Sequence, residues 1–256
     1  MIHKIGVMDS GFGGLSVLNE LTKQIPNADY FYYGDLKNSP YGSKDPAEVY
    51  NFCEEICDFF ISKQVNGIVI ACNTATSVAI EKLRKKLSIP IFGMEPAIKP
   101  AVLENPNENI AVLATPLTLN EKKFLDLEKK LQAETNLKLF SCDGLASLID
   151  KRDSIGLDEY LEPIFNTLDS ESIKTIVLGC THYVHIKNLF FKKNPNYKIY
   201  DGNEGTVRQV ARNLISIPMD RESKLDIFLN GGSESDFETA YFYLNQTTQS
   251  EQDYVK

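Results

Sequence analysis

Ile68-Val69-Ile70-Ala71-Cys72-Asn73-Thr74 and Ile176-Val177-Leu178-Gly179-Cys180-Thr181-His182 are two versions of one pattern, and the prediction of the fold starts from them. In each, an apolar run rich in β-branched residues ends on a cysteine and continues into polar residues. The runs are too short for helices and indicate buried parallel strands. Open α/β sheets bind ligands beyond the carboxyl ends of their strands. Two such thiols therefore predict a site with a sulfur on either side, which suits moving a proton from one face of a carbon to the other.

The composition is that of an ordinary globular protein. Of 256 residues, 43% are hydrophobic and 24% are charged, and the net charge of −8 argues against a nucleic-acid surface. No apolar run approaches the roughly 20 residues of a membrane span, and the first residues have no signal-peptide layout. The five cysteines are an odd number without regular spacing, which is typical of free thiols. We therefore expect a cytoplasmic protein that binds neither nucleic acid nor membrane.

Strand-like runs alternate with amphipathic segments along the whole chain. This alternation predicts an α/β fold with mainly parallel sheets, helices on both faces and right-handed crossovers. The two cysteine strands are separated by about one small domain, so we expect two similar halves that face one another, with the chain crossing near 94–100 and 201–207. The predicted strands are 4–8, 30–33, 67–71, 90–93, 110–114, 137–141, 175–179, 198–200 and 225–229, and the main predicted helices are 46–63, 74–87, 119–134 and 157–168.

Two loops after predicted strands carry polar groups of interest. In 9–14 (DSGFGG) the glycines allow a tight turn into a helix whose free N–H groups can hold an anion, although the loop matches neither a Walker motif nor a full dinucleotide fingerprint. Asp9 in this loop could orient a neighbouring thiol. In 35–42 (DLKNSPYG), Ser39, Tyr41 and the Gly42 N–H could meet a carboxylate. A plain turn is the alternative for each loop.

The two cysteines carry the strongest signal. Each stands between a strand and a predicted helix, where the helix dipole favours a thiolate, and Asn73 and Thr181 follow as donors or helix caps. A buried structural cysteine is the alternative for either one alone. His182 could exchange a proton with Cys180, and a capping or core role is the alternative.

Other residues of these types have weaker signals. Cys180 and His182 could form one pair of zinc ligands, but the sequence has no second pair at ligand spacing, so we expect no metal. Cys53 and Cys57 share one helix face and are predicted to be core, whereas Cys142 follows a strand and could line the crevice of the second half. The segment 118–121 (TLNE) has the form of a capping box and predicts a helix start at Thr118.

Taken together, these motifs resemble the glutamate racemase family. The resemblance runs in order along the chain, from residue 6 to residues 201–202. Its blocks are 6–16 (GVMDSGFGGLS), 33–35 (YGD), 40–42 (PYG), 71–75 (ACNTA) and 178–183 (LGCTHY).

The resemblance implies an activity, a site and an architecture. It implies racemisation of L-glutamate to D-glutamate without a cofactor, supplying D-glutamate for peptidoglycan, with Cys72 and Cys180 as the two acid/base residues. Cys72 would take the proton from D-glutamate and Cys180 from L-glutamate, assisted by Asp9 and His182 respectively. Two pseudo-symmetric domains are implied, 1–95 plus 208–256 and 96–207, with the site in the cleft between them and often a homodimer. The implied glutamate contacts are Asp9, Ser10, Pro40, Tyr41, Gly42, Asn73, Thr74, Thr118, Thr181 and His182.

Two departures from the family and two alternatives bear on this expectation. The family usually places a helper glutamate after a Leu-Ile or Leu-Val pair, whereas this chain has Asp150, one methylene shorter. After the fourth strand the segment 93–96 (GMEP) is one residue shorter than is common in the family. An aspartate racemase would share the paired cysteines and hold a shorter substrate. A non-catalytic amino-acid-binding protein would make the cysteines incidental.

Overall fold

Two parallel sheets form the frame of the molecule. The computed structural model describes residues 3–131, 136–214 and 223–249. The first sheet has the order β4-β3-β1-β2-β9, and the second has the order β6-β5-β7-β8. In chain order the strands are β1 (Lys4–Asp9), β2 (Asp29–Gly34), β3 (Gly67–Ile70), β4 (Ile91–Gly93), β5 (Ile110–Ala114), β6 (Leu137–Ser141), β7 (Thr175–Gly179), β8 (Lys198–Asp201) and β9 (Leu225–Leu229).

All of these strand pairs are parallel, as the sequence predicts. Each predicted strand is present, with bounds that agree to within a residue. The prediction of two parallel-sheet α/β domains is therefore confirmed. The first sheet draws its strands from the start and the end of the chain, whereas the second is built from its middle. The exact domain boundaries at 95/96 and 207/208 stay a prediction.

Helices connect the strands and cover the faces of the sheets. In chain order they are α1 (Leu15–Gln24), α2 (Pro46–Ser62), α3 (Asn73–Lys86), α4 (Ile98–Glu104), α5 (Pro116–Asn120), α6 (Lys122–Leu131), α7 (Leu145–Asp150), α8 (Ser154–Ser170), α9 (Lys187–Lys193), α10 (Asn203–Asn213) and α11 (Glu234–Gln249). Short 3₁₀ turns cover Leu36–Asn38, Tyr41–Ser43 and Thr181–Ile186.

The predicted helix start at Thr118 is wrong. Thr118 lies inside α5, and Thr115 caps that helix by accepting a hydrogen bond from the Thr118 N–H at 3.3 Å. Pro116 at the first helical position fixes the start there, because proline suits this position and needs no N–H partner. The next helix, α6, begins after Glu121, whose backbone is extended. A true capping box stands instead at Asp45 and Glu48, at the start of α2.

The central strands are buried on both faces, which is why they appear in the sequence as continuous apolar runs. Every residue of β3, β5 and β7 is buried. Cys53 and Cys57 lie in the apolar core beside the first sheet, as predicted. Among the described residues, no helix combines the length and apolar composition needed to cross a bilayer, and no group of three or more metal-ligating side chains is suited to a metal ion.

Gly6 on β1 gives a test of how tightly this core is packed. A Cβ at this position would lie 2.7 Å from the ring of Phe60. We expect Gly6→Ala to lower the free energy of unfolding by about 1–3 kcal/mol through overpacking. Gly205→Ala in α10 is the matched control, because an added Cβ there meets no atom within 4 Å. Alanine should stabilise that helix by about 0.5–1 kcal/mol. Denaturant unfolding measures both, and equal effects would contradict the expectation.

Candidate active site

Asp9 ends β1 and lies fully buried where the two sheets face one another. The Gly11 N–H donates a hydrogen bond to Asp9 Oδ1 at 2.9 Å, and the Thr181 hydroxyl donates to Oδ2 at 3.0 Å. Burial raises the pKa of the Asp9 carboxyl, although the nearby His182 and these hydrogen bonds partly oppose the shift. Since Thr181 follows β7 of the second sheet, one carboxyl group links the loops of both sheets.

Cys72 stands between β3 and α3, as the sequence predicts. Its sulfur accepts from the Ala75 N–H at 3.4 Å as the helix N-cap and lies 3.7 Å from the Ser10 hydroxyl. The expectation that the helix dipole favours a thiolate here is wrong, because burial, followed by the charge of Asp9, raises the pKa of the Cys72 thiol to about 12. A charge on Cys180 raises it further, so the two sulfurs influence one another across the site.

Cys180 follows β7, and its sulfur is the first member of a row of three groups that continues through His182 to Asp150. Its sulfur lies 3.9 Å from His182 Nδ1, and His182 Nε2 lies 3.3 Å from Asp150 Oδ2 at the end of α7. Burial alone would lower the pKa of His182, but the Asp150 carboxylate and the Cys180 sulfur outweigh it and hold that pKa well above its usual value. The histidine is therefore held as a cation beside the second thiol.

Glycines allow the two halves to meet this closely. A Cβ on Gly13 would lie 2.6 Å from His182 Nδ1, and one on Gly11 would lie 3.0 Å from Nε2. The Tyr32 hydroxyl donates to the Gly11 carbonyl at 2.7 Å and fixes the loop from the side of the first sheet. The glycines predicted for an anion loop therefore also let the backbone pack against the histidine.

A cluster of three threonine hydroxyls joins the halves on the other side of the site. Thr74 lies 2.9 Å from Thr115 and 3.2 Å from Thr118, and Thr115 donates to Thr118 at 2.9 Å. Gly42 packs here as well, since a Cβ on it would lie 2.8 Å from the Thr115 side chain. Gly42 and Thr74 follow β2 and β3 of the first sheet, whereas Thr115 and Thr118 follow β5 of the second sheet.

The loop with Pro40, Tyr41 and Gly42 is fixed by a buried acid. The Tyr41 hydroxyl donates to Asp35 Oδ2 at 2.6 Å, and Asn230 Nδ2 donates to Oδ1 at 2.7 Å. Tyr41 is buried, whereas Pro40 is exposed at the edge of the loop. The loop is therefore an ordered element beside the threonine cluster.

Asn73 supplies a donor whose protein partner is missing. Its side-chain nitrogen is buried and makes no hydrogen bond to the described residues. Buried polar groups in proteins are nearly always bonded, so such a nitrogen indicates a place where a ligand accepts. Because Asn73 follows Cys72 directly, that ligand would lie beside the thiol.

The structure brings together most of the residues singled out from the sequence. Asp9 contacts Thr181, Ser10 contacts Cys72 and His182 contacts Cys180, with Asn73 next to Cys72. Cys142 is packed into the core, where burial first and then a charge on Cys180 raise the pKa of its thiol to about 12.

Sequence reasoning missed three supporting residues of the site. They are Thr115, Tyr32 and Asn230, which act through contacts between segments far apart in the chain. Only Thr115 has a local signal, since threonine followed by proline after a strand is typical of a helix start.

Comparisons with known proteins point to one family. The family model described as Asp/Glu/Hydantoin racemase matches residues 5–210. The chain is similar to the glutamate racemase of Leptospira interrogans, with 48% identity over 243 residues that cover 93% of this chain and 95% of the relative.

Two solved structures resemble the whole chain. One is Escherichia coli glutamate racemase in complex with L-glutamate and the activator UDP-MurNAc-Ala, with a TM-score of 0.81, 26% identity and 96% coverage of both chains. The other is glutamate racemase from Francisella tularensis in complex with D-glutamate, with a TM-score of 0.78, 25% identity, and 95% and 94% coverage of this chain and that one.

The pairing of His182 with Asp150 gives a pH-dependent prediction. We expect Asp150→Asn to lower the pKa of His182, because the change removes the carboxylate charge that opposes the effect of burial. Ring C–H signals in NMR can follow this, since the chain has only three histidines, with His182→Gln to assign the signal. The ring signal of His182 should therefore titrate at a lower pH in the variant than in the wild type.

His185 provides an internal control in the same spectra. Burial, and then the charge of His182, lower the pKa of His185 to about 3, so its ring should stay neutral in both proteins. An unchanged titration of His182 in Asp150→Asn would show that Asp150 does not hold its charge.

Proposed function

The chain belongs to the Asp/Glu/hydantoin racemase family, and we propose that it interconverts L- and D-glutamate by passing the α-proton between Cys72 and Cys180. One observation carries this proposal. Two thiols follow strands in different sheets, with Asp9 near enough to raise the pKa of Cys72 and His182 3.9 Å from the sulfur of Cys180. A planar carbanion held between them can lose a proton on one face and gain one on the other.

The elevated pKa of Cys72 suits a proton acceptor in this reaction. A thiol with a pKa near 12 is neutral at pH 7, but its thiolate is a stronger base than an ordinary one once formed. An incoming substrate ammonium would favour that thiolate by its positive charge. Asp9 is close enough to raise the pKa of the thiol, and its own raised pKa allows it to hold a proton nearby.

Cys180 is supported in a different way. The His182 cation, held by Asp150, lies 3.9 Å from its sulfur and can stabilise a thiolate there or return a proton to it. Because Asp150 holds the charge of His182, we propose that it takes the role of the family's helper glutamate. The two halves are chemically unlike, since a carboxyl group assists one thiol and an imidazole the other.

The substrate carboxylates need donors, and the site offers several. Asn73 Nδ2 is the strongest candidate, because it is buried without a protein partner. We propose that the other contacts are Asp9, Ser10, Pro40, Tyr41, Gly42, Thr74, Thr118, Thr181 and His182. Donors preorganised around the α-carboxylate would stabilise the developing carbanion electrostatically, which is usually the largest contribution to such catalysis. On this basis we propose a reaction without a cofactor.

The choice of glutamate over aspartate follows from the relatives. The curated relative and the two solved structures described above are glutamate racemases, and those two structures hold L- and D-glutamate. A role in peptidoglycan synthesis is supported by the E. coli complex, whose activator contains a muramic acid nucleotide. We further propose a cytoplasmic homodimer in which each chain divides into domains near 95/96 and 207/208.

Solvent exchange in D₂O tests the two-thiol mechanism one face at a time. With no added cofactor, proton NMR should show loss of the α-proton signal from both enantiomers of glutamate and from neither enantiomer of aspartate. We expect Cys72→Ser and Cys180→Ser each to slow racemisation by about 10²- to 10⁴-fold. Cys72→Ser should abolish exchange from D-glutamate and keep it from L-glutamate, and Cys180→Ser should do the reverse.

Cys57→Ser is the control for the loss of a buried thiol, because Cys57 lies in the core beside α3. It should leave exchange from both enantiomers intact. Exchange from aspartate alone would identify an aspartate racemase. Binding of glutamate without exchange, unchanged in the double cysteine variant, would identify a binding protein.

A further inference from the structure

Helix α11 reaches from the first half of the molecule to the end of α7. Its residue Tyr243 is buried, and the Tyr243 hydroxyl donates a hydrogen bond to the Ile149 carbonyl at 2.7 Å. α11 follows β9 of the first sheet, whereas Ile149 lies between β6 and β7 of the second. This bond therefore joins the two halves of the molecule, next to Asp150.

The end of α7 needs support of this kind. The helix has six residues, too few to be stable without tertiary contacts, and Asp150 is the last of them. After it the chain turns sharply at Arg152, a non-glycine residue with φ of 53°. The Arg152 N–H also donates to the Ile149 carbonyl, at 2.9 Å. The carbonyl that receives the Tyr243 hydroxyl thus belongs to the turn that fixes Asp150.

The Tyr243 ring is itself held in place from several sides. It lies 4.2 Å from the His185 ring and 6.1 Å from the Phe12 ring, measured between centroids. Next to it, the Arg152 guanidinium lies 3.9 Å from the centre of the Phe242 ring. Phe12 belongs to the loop that follows Asp9, so the ring packs against both halves while its hydroxyl reaches Ile149.

Within the described part of the chain, a continuous series of contacts leads from the Tyr243 hydroxyl to Cys180. Tyr243 binds the Ile149 carbonyl, the adjacent Asp150 lies 3.3 Å from His182 Nε2, and His182 Nδ1 lies 3.9 Å from Cys180. The contacts of Cys72, with Ser10 and the Ala75 N–H, are separate from this series. Removal of the Tyr243 hydroxyl should therefore disturb one half of the reaction.

We propose that Tyr243 is a positioning residue, which aligns Asp150 and through it His182 for proton transfer at Cys180. This role of Tyr243 rests on the proposed two-thiol mechanism, and it adds to that mechanism a contact between the two halves of the molecule. Because α11 continues from the first sheet, the Cys180 half is fully assembled only when the two halves are docked.

Racemisation rates alone cannot test a one-sided effect. The equilibrium constant between enantiomers is one, so kcat/KM in the two directions must stay equal in every variant. Elimination from the enantiomers of β-chloroglutamate avoids this limit. One thiolate takes the α-proton, the C–H electron pair forms the Cα=Cβ bond, and chloride leaves with the C–Cl pair. The enamine then hydrolyses to a 2-oxo acid and ammonium.

The decisive variant is Tyr243→Phe, which keeps the ring contacts and removes only the hydroxyl. We expect kcat for chloride release from the L-enantiomer, which uses Cys180, to fall about three- to tenfold, because the variant loses the hydrogen bonding of the Tyr243 hydroxyl. KM and release from the D-enantiomer should change less than twofold. Tyr160→Phe is the matched control, because its hydroxyl also donates to a backbone carbonyl, that of Asp143 at 2.8 Å, and it should leave both rates unchanged.

The outcomes separate this inference from the function on which it rests. Chloride release from both enantiomers by the wild type, with an equal fall or no fall in Tyr243→Phe, would overturn the positioning role and leave the racemase intact. No release by the wild type from either enantiomer would overturn both. A second readout does not need turnover: the His182 ring signal should shift in Tyr243→Phe and stay in place in Tyr160→Phe. An unshifted signal would also overturn the role.

Discussion

A buried carboxyl group with donors from both halves of the molecule is the constraint on which the site depends. Burying a carboxyl is costly unless it is hydrogen-bonded, and Asp9 obtains its bonds from the Gly11 N–H and the Thr181 hydroxyl. The second donor comes from the segment that also carries Cys180. Satisfying Asp9 therefore requires the halves to dock, and docking brings Cys180 close enough to Cys72 to influence its pKa.

The electrostatic surroundings of the two thiols differ. Around Cys72, burial and an acid hold the thiol neutral, whereas around Cys180 a histidine is kept charged by Asp150. The neighbouring His185 is forced to stay neutral by burial and by that charge. A site that acts on mirror-image substrates thus has different acid/base groups beside its two thiols. What the two halves share is the position of each cysteine just after a strand.

The strands and the cysteines could be predicted from the sequence because their signals are local. A buried parallel strand needs a continuous apolar run, and the residue at its end must lie at the ligand edge of the sheet. Thr118 shows where local signals mislead. Its segment satisfies the pattern of a capping box, yet Thr115 and Pro116 start the helix earlier and leave the Thr118 hydroxyl to bond with Thr74. Thr115 and Thr118 are both possible N-caps, three residues apart. The end of β5 decides between them, because the helix starts directly after that strand.

The sequence by itself therefore determined the parallel sheets, the position of each thiol at a strand end and the identity of the residues beside them, since these depend on side chains near in the chain. The tertiary structure decided which of them meet. The bond from Thr181 to Asp9 spans 172 positions, and that from Tyr243 to Ile149 spans 94. Such contacts leave no periodic signal, because they depend on how two separately folded sheets dock, and docking is set by shape and by the need to satisfy buried polar groups.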